Sequence, residues 1–388
     1  MTEVKSAVMS NVDAMGADLI ALSHWIHAHP ETAWNEFESS KYIAEYLATR
    51  GFMVEENFCD LPTAFKATFG TGDLQIAFCA EYDALPGLGH ACGHNIIASA
   101  SVGAALALAP FADELNATIT VLGTPAEEGG GGKITMLKRG GFAGLDVAAL
   151  IHPGPVDVDH GNPFAVKHLE ISYTGRASHA AAYPEQGVNA ADAFTIAQVA
   201  IGLLRQQLAP SIRVHGIITR GGEAPNAIPE RTEGKWYVRA NTTREMNDAY
   251  DRIVKCFEAG ALATGCTLDI HEGNAPYSEF TNHDELTALY RANAESLGRN
   301  FDAPEPLTRM NRASTDMGNV SQAVASFHPY IGINSGDAVN HQHQFAAAAV
   351  TRDADRAVLD GAKGLAMTMV DIAQDAQMRA YVKEFSRA

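Results

Sequence analysis

Positive charge is scarce in this chain. Its 388 residues include 28 Lys and Arg against 46 Asp and Glu, a formal net charge of −18. Such a surface repels nucleic acid and anionic lipid, so neither is expected as a partner. Cysteine is scarce too: Cys59, Cys79, Cys92, Cys256 and Cys266 are scattered and odd in number. They form no disulfide framework, and a reducing, cytoplasmic location is expected. Long apolar runs are missing; the Ala-rich stretch at 97–109 is shorter than the roughly 20 residues that span a bilayer. The first twenty residues carry acids and no signal-type apolar core, so no secretory leader is expected. Internal repeats and low-complexity tails are absent as well. What remains, 46% hydrophobic and 19% charged, has the composition of a globular enzyme with two domains or one large domain carrying an insertion.

Hydrophobic periodicity then divides the chain. Residues 16–50 read as a long amphipathic helical region broken at His29-Pro30 and stopped by Gly51. Apolar runs at 74–79, 117–122 and 147–151 read as buried strands, with a small-residue helix at 95–109 between the first two. Strand, helix, strand in this rhythm predicts an α/β domain with a mostly parallel sheet. The middle differs. Strands at 166–173, 212–219, 235–240 and 267–271 alternate with helices at 188–208 and 247–264 in the order β-α-β-β-α-β. This is a complete α+β, ferredoxin-like domain in itself. Helices at 284–297 and from about 353, with a strand near 327–333, then resume the first style. The expected organisation is a catalytic domain in two parts, 1–164 and 276–388, interrupted by an inserted domain at 165–275.

The residues with ligand chemistry fall at particular places. Glu81 and Asp83 follow the strand ending at Cys79, and His90, Cys92, His94 and Asn95 crowd the next turn at a helix start. Glu127 and Glu128 follow the strand ending at Leu122, ahead of four glycines, and His152 directly follows the strand ending at Ile151. Three strands thus deliver acidic or soft ligands to their carboxyl ends, where open α/β sheets form their sites. Thiolate, imidazole and carboxylate together suit zinc, with manganese, cobalt or nickel as alternatives. His27 and His29 lie in the first helical region and read as capping and packing residues. The glycine run lacks the Gly-Lys-Ser/Thr of a phosphate loop and reads as a flexible turn.

Several motifs in fixed order carry a family resemblance. Ala80-Glu-Tyr-Asp-Ala-Leu-Pro86 followed by Gly89-His-Ala-Cys-Gly-His-Asn95 resembles the co-catalytic metallo-amidohydrolases and metallopeptidases related to aminoacylase and carboxypeptidase G2. Within them the chain is most similar to the subgroup of aminobenzoyl-glutamate hydrolase, β-alanyl dipeptidase-like proteins and auxin-conjugate hydrolases. Ile26-His-Ala-His-Pro-Glu31, Pro125-Ala-Glu-Glu-Gly129, Ile151-His-Pro153, Gly175-Arg-Ala-Ser-His-Ala-Ala181, residues 221–229, residues 314–320, and His341 with Phe345 extend the resemblance along nearly the whole chain. Asn95 stands where many relatives carry Asp, though Asn is usual in this subgroup, and many other branches carry a ligating His near the position of Glu81.

The resemblance implies two divalent metal ions held by Cys92, His94, Glu128, His152 and His341, with Glu127 as general base and Asp83 supporting the centre. Chemistry alone leaves His341 and His343 open; the spacing to Phe345 favours His341. The inserted domain is implied to be a lid and dimerisation domain of a homodimer. In it His179 would stabilise the oxyanion, reaching the partner subunit's site, while Asn226 and Arg239 would hold polar groups or a carboxylate of the substrate. The implied reaction is hydrolysis of an amide bond in a small N-acyl amino acid, dipeptide or aryl-amide conjugate. Hydrolytic deamination of an aromatic amine and a catalytically silent binding protein are the alternatives. The intact Glu127 and full ligand set speak against the last.

Overall fold

The computed structural model describes residues 2–386, which divide into two compact units: residues up to Pro163 together with those from Phe280, and Phe164–Glu279. The first unit opens with α1 (Glu3–Ala14), a helix ahead of the region expected from periodicity. Val4, Val8 and Val12 form its buried stripe, and the Thr2 side chain caps it by accepting from Lys5 N. The helical region at 16–50 is two helices, α2 (Gly16–Ala28) and α3 (Phe37–Ala48), separated after His29-Pro30. Then come β1 (Met53–Glu56), β2 (Phe65–Phe69), β3 (Leu74–Ala80), α4 (His94–Leu108), β4 (Ala117–Gly123), α5 (Gly132–Lys138), β5 (Val147–Ala149) and β6 (His152–Gly154). Every residue of α4 is buried, as a helix apolar all round requires. The stretch 94–111 is long and apolar enough to cross a membrane, but 89% of it is buried inside the protein, which makes it a core helix.

The second unit contains β7 (Ala165–Thr174), α6 (Ala190–Leu204), β8 (Arg213–Arg220), β9 (Arg231–Ala240), α7 (Thr243–Thr264) and β10 (Thr267–Glu272). Its sheet has the order β10-β7-β9-β8, antiparallel throughout. Leu169, Ile171, Tyr173, Trp236 and Val238 pack with Phe194 and Ala197 of α6 and Ile253 and Phe257 of α7 in one separate core. Strand β8 is an edge, with Ile217 and Ile218 exposed on it. The unit runs to Glu279, beyond residue 275, because Tyr277 exchanges backbone hydrogen bonds with Val166.

The chain then returns to the first unit with α8 (Asp284–Ser296), α9 (Met317–Ser321), β11 (Ala325–Phe327), β12 (Tyr330–Gly332), α10 (His343–Ala348), α11 (Arg352–Gln374) and α12 (Ala376–Phe385). The main sheet has the order β1-β2-β4-β3-β5-β11. Strands β4, β3, β5 and β11 run parallel, and β2 and β1 continue the sheet antiparallel. The run expected at 147–151 is a strand only over Val147–Ala149, and the one expected near 327–333 is divided between β11 and β12. The chain leaves the main sheet after Ala149 and after Phe327, and β6 pairs in parallel with β12 in a separate two-stranded sheet. This break carries His152 away from β5 and into the site.

Candidate metal centre and active site

The carboxyl ends of three parallel strands supply most of the site. After β3 the chain places Glu81, Tyr82 and Asp83, all buried, and reaches Cys92-Gly93-His94 at the start of α4. Gly93 has φ +80°, and a Cβ there would lie 2.5 Å from Pro153 Cγ. Only glycine makes this turn cheaply, and it lets residues two apart both face the cluster. After β4 come Glu127 and Glu128, and after β5 comes His152. His341 joins from the loop before α10, where its own N–H donates to Ala91 O.

The separations are those of a ligand cage. Cys92 Sγ lies 3.5 Å from His152 Nε2, and His341 Nε2 lies 3.4 Å from Glu128 Oε2. His94 Nε2 is 3.7 Å from Glu81 Oε2, 3.8 Å from Glu127 Oε2 and 3.8 Å from Glu128 Oε1. Ligand atoms of Cys92, His94 and His152 lie within 4.8 Å of one another, as do those of Cys92, Glu128 and His341, and those of Glu81, His94 and Glu127. Cys92 is common to the first two groups. Glu127, Asp83, Cys92, His94, Glu128, His152 and His341 are therefore all brought together.

The outer partners show that these residues fit a metal. His94 Nδ1–H donates to Asp83 Oδ1 at 3.0 Å, and His152 Nδ1–H donates to the Pro153 carbonyl at 2.8 Å. A carboxylate and a carbonyl only accept, so each bond fixes the tautomer and leaves Nε2 to ligate. Among the described residues, the buried His94 Nε2 and Glu128 Oε1 have no hydrogen-bond partner, as expected of atoms aimed at an ion. Asp83 also accepts from Glu128 N at 2.9 Å, so one carboxylate sets both a histidine and the backbone of a glutamate.

Charge completes the picture. Burial, then the carboxylates of Glu81 and Glu128, pushes the Glu127 carboxyl well above its ordinary range. Burial opposes charge on His94, yet Asp83 beside it outweighs this and holds the imidazole well above its usual value. Burial, then His328, drops His152 to about 3, which keeps it neutral as a ligand must be. The acids surrounding His94 Nε2 demand a positive charge there.

Behind the cluster sits a feature that sequence reasoning missed. Lys133, fully buried, lies 2.6 Å from Glu81 Oε1 and 2.7 Å from Asp316 Oδ1, and its backbone N donates to Asp316 Oδ2. Burial raises the Glu81 carboxyl, but Lys133 and His94 overcome this and bring it to about 2. Glu81 is thus tied to an internal ammonium. Asp316 lies in the motif at 314–320, which was the available signal; a lysine after a glycine run gave none. Asn95 points into the core, where its Nδ2 donates to Ser23 Oγ at 2.8 Å and Ala349 O at 3.0 Å. His27 Nε2 bonds Ala346 O and His29 Nδ1 bonds Trp25 O, both packing roles.

The remaining candidates belong to the second unit. His179 and Asn226 are exposed and meet in paired turns, with Ala180 N donating to Asn226 O and His179 bridging to Ala227. The His179 Nδ1 accepts from Ala181 N and Ala182 N, which leaves Nε2 as the nitrogen able to donate. Arg239 lies half-buried on β9, its guanidinium 5.5 Å from the Tyr237 ring centre.

A set of thiol, imidazole and carboxylate at the strand ends of an α/β unit, with a further glutamate beside it, has the make-up of a metal-dependent hydrolase site. Similarity to known proteins agrees with that class. Residues 77–365 match the peptidase family M20/M25/M40. The Xaa-Arg dipeptidase of Mus musculus is 39% identical over 398 residues, covering 98% of this chain and 92% of the mouse protein. One of the subunits of the p-aminobenzoyl-glutamate hydrolase of Escherichia coli K12 is 32% identical over 75% of this chain and 65% of its own length. Among solved structures, a Bacillus subtilis protein described as a dinuclear metal binding peptidase from the M20 family matches with TM-score 0.70 at 21% identity, covering 93% of this chain and 99% of that one. The chain belongs to the M20/M25/M40 peptidase family, and it is a hydrolase acting on the amide bonds of small molecules.

Proposed function

We propose that the chain is a dipeptidase-like amidohydrolase working with two divalent cations, zinc foremost and manganese, cobalt or nickel as alternatives. Cys92, His94, His152, Glu128 and His341 would hold the ions between them, Cys92 standing in both candidate ligand groups. When bound, such ions would supply a water of lowered pKa, toward 7, and a Lewis acid for the scissile carbonyl. The observation that carries the reading is the Cys92-centred pair of ligand groups with Glu127 beside them. Glu127 is the general base: its carboxylate stands beside both ligand groups, 3.8 Å from His94 Nε2, where it can take the proton of the attacking water and pass it to the leaving amine. Asp83 orients His94 and the Glu128 backbone.

The second unit is proposed as lid and dimerisation domain of a homodimer. His179, through Nε2, donates to the developing oxyanion in the partner's site, and Asn226 and Arg239 receive polar groups or the carboxylate of the substrate. The first substrates to test are dipeptides ending in arginine, because the mouse protein named for that activity aligns with 98% of this chain. A cytoplasmic location is supported by five free cysteines.

The test is a product screen by mass spectrometry over Xaa-Arg dipeptides, N-acyl amino acids and aminobenzoyl-glutamate, before and after chelation and dialysis. Two fragments from a dipeptide, lost on chelation and restored by zinc, manganese or cobalt, are expected. Release of ammonia with a single organic product, or full turnover by exhaustively demetallated protein, would overturn the reading.

A further inference from the structure

The segment between α2 and α3 does more than connect helices. Glu31 anchors it at its start: the Glu31 carboxylate accepts from Glu38 N at 3.0 Å and Ser39 N at 2.8 Å, capping α3. From that fixed point the segment touches both ligand-bearing loops. The Glu31 carbonyl accepts from Ala84 N at 2.7 Å, next to Asp83. Five residues on, the fully buried Glu36 accepts from Ala126 N through Oε1 at 2.8 Å, immediately before Glu127.

Ala126 is an unusual place to find that bond. Its φ is +57°, the left-handed region, which costs a residue with a Cβ about 1 kcal/mol or more. Its carbonyl accepts from Gly130 N at 3.0 Å and Gly131 N at 2.9 Å. The backbone here is held from both sides: the carbonyl by the turn it opens, the N–H by Glu36. Trp34, itself at φ +67°, closes the other end of that turn. A Cβ on Gly130 would lie 2.3 Å from Trp34 Nε1, so the indole occupies the space a side chain would need.

From this juxtaposition we infer that Glu36 is a positioning residue, which fixes the left-handed backbone at Ala126 and thereby presents Glu127 and Glu128 to the site. The inference rests on the reading of Glu127 as base. Nothing in it requires Glu36 to touch substrate or metal. Burial, with Asp83 nearby, raises the Glu36 carboxyl to about 7, but protonated or not it keeps an oxygen that accepts from Ala126 N. A glutamine keeps that acceptor; a leucine of similar size does not.

The experiment compares Glu36→Gln and Glu36→Leu, the latter with and without Ala126→Gly. Amide hydrogen exchange in the 124–132 peptide is followed with kcat and KM on the substrate that the product screen yields. Glu36→Leu should lower kcat about 10–100-fold, the scale of a misplaced catalytic group, with KM within about threefold, and should speed exchange in that peptide. Glu36→Gln should stay within about threefold of the parent and keep slow exchange, because a purely positional role needs only the acceptor. Ala126→Gly should restore part of the Glu36→Leu loss, since glycine adopts positive φ freely. Unchanged exchange and kcat in Glu36→Leu overturn the inference, as does a Glu36→Gln that falls equally far. Should Glu36→Leu not fold, Glu36→Gln decides alone: loss of its kcat or of its slow exchange refutes the role. Exchange needs no turnover, so a failure of the base assignment, seen as an active Glu127→Gln, is distinguishable.

Discussion

Glu127 and Glu128 are neighbours with different surroundings. Glu128 faces His341 at 3.4 Å and has its backbone fixed by Asp83, whereas Glu127 is pressed against Glu81 and His94. Glu127→Gln is expected to keep bound metal and lose at least about a hundredfold in kcat, while Glu128→Gln lowers metal content, both read by elemental analysis beside steady-state kinetics. Lys133 gives a second test at this scale. Lys133→Met leaves Glu81 and Asp316 as buried charges without their cation, which should cost about 3–5 kcal/mol in urea unfolding. At Asn95, an aspartate would turn a carboxylate oxygen toward the Ala349 carbonyl in place of a donor. Asn95→Asp should therefore lower the free energy of unfolding by about 1–3 kcal/mol, the cost of a buried acceptor left without a donor, as read by urea unfolding.

At the scale of elements, packing between helices decides. A Cβ on Gly103 of α4 would lie 2.8 Å from Leu19 Cδ1 and 3.0 Å from Ala362 Cβ. Gly103→Val should overpack this crossing and cost about 1–3 kcal/mol, measured by denaturant unfolding with the slope held constant. The sequence made much of this architecture legible. β3, β4 and α4 are long, uniformly apolar and separated by turn residues, so their pattern and the ligands at their ends could be read directly. What escaped has physical reasons. β5 and β11 have three residues each; the apolar run of β5 outlasts its pairing by two residues, and that of β11 continues into β12 of another sheet, so periodicity fused what geometry separates. The Lys133–Asp316 pair spans 183 positions, and lysine is so commonly solvated that nothing local marks a buried one. Glu36 was silent for the same reason: its partner is a backbone N–H ninety residues away, which no side-chain pattern records.

For the molecule as a whole, the proposed dimer makes a sharp prediction. If His179 serves the partner's site, mixing His179→Ala with Glu127→Gln subunits should regenerate sites carrying both intact residues, and activity should rise as subunits exchange. Mixtures that stay inactive while exchange is demonstrated by mass spectrometry would place His179 outside any shared site. The exposed edge strand β8, with Ile217 and Ile218 uncovered, is where strand pairing across a twofold axis would bury unpaired backbone.

The first unit is built from two stretches of chain with a complete domain between them. That order has a consequence during synthesis. Strand β11 and helix α11, whose residues close the core around α4, leave the ribosome only after the entire second unit has emerged. The second unit is contiguous and can fold while translation continues. The first half of the other must wait with the apolar surface of α4 uncovered, for as long as it takes to add more than two hundred residues, on the order of 10–40 s at about 5–20 residues per second. A nascent chain stalled before residue 352 should therefore protect its middle segment from protease while its amino-terminal third is still cleaved and held by chaperones.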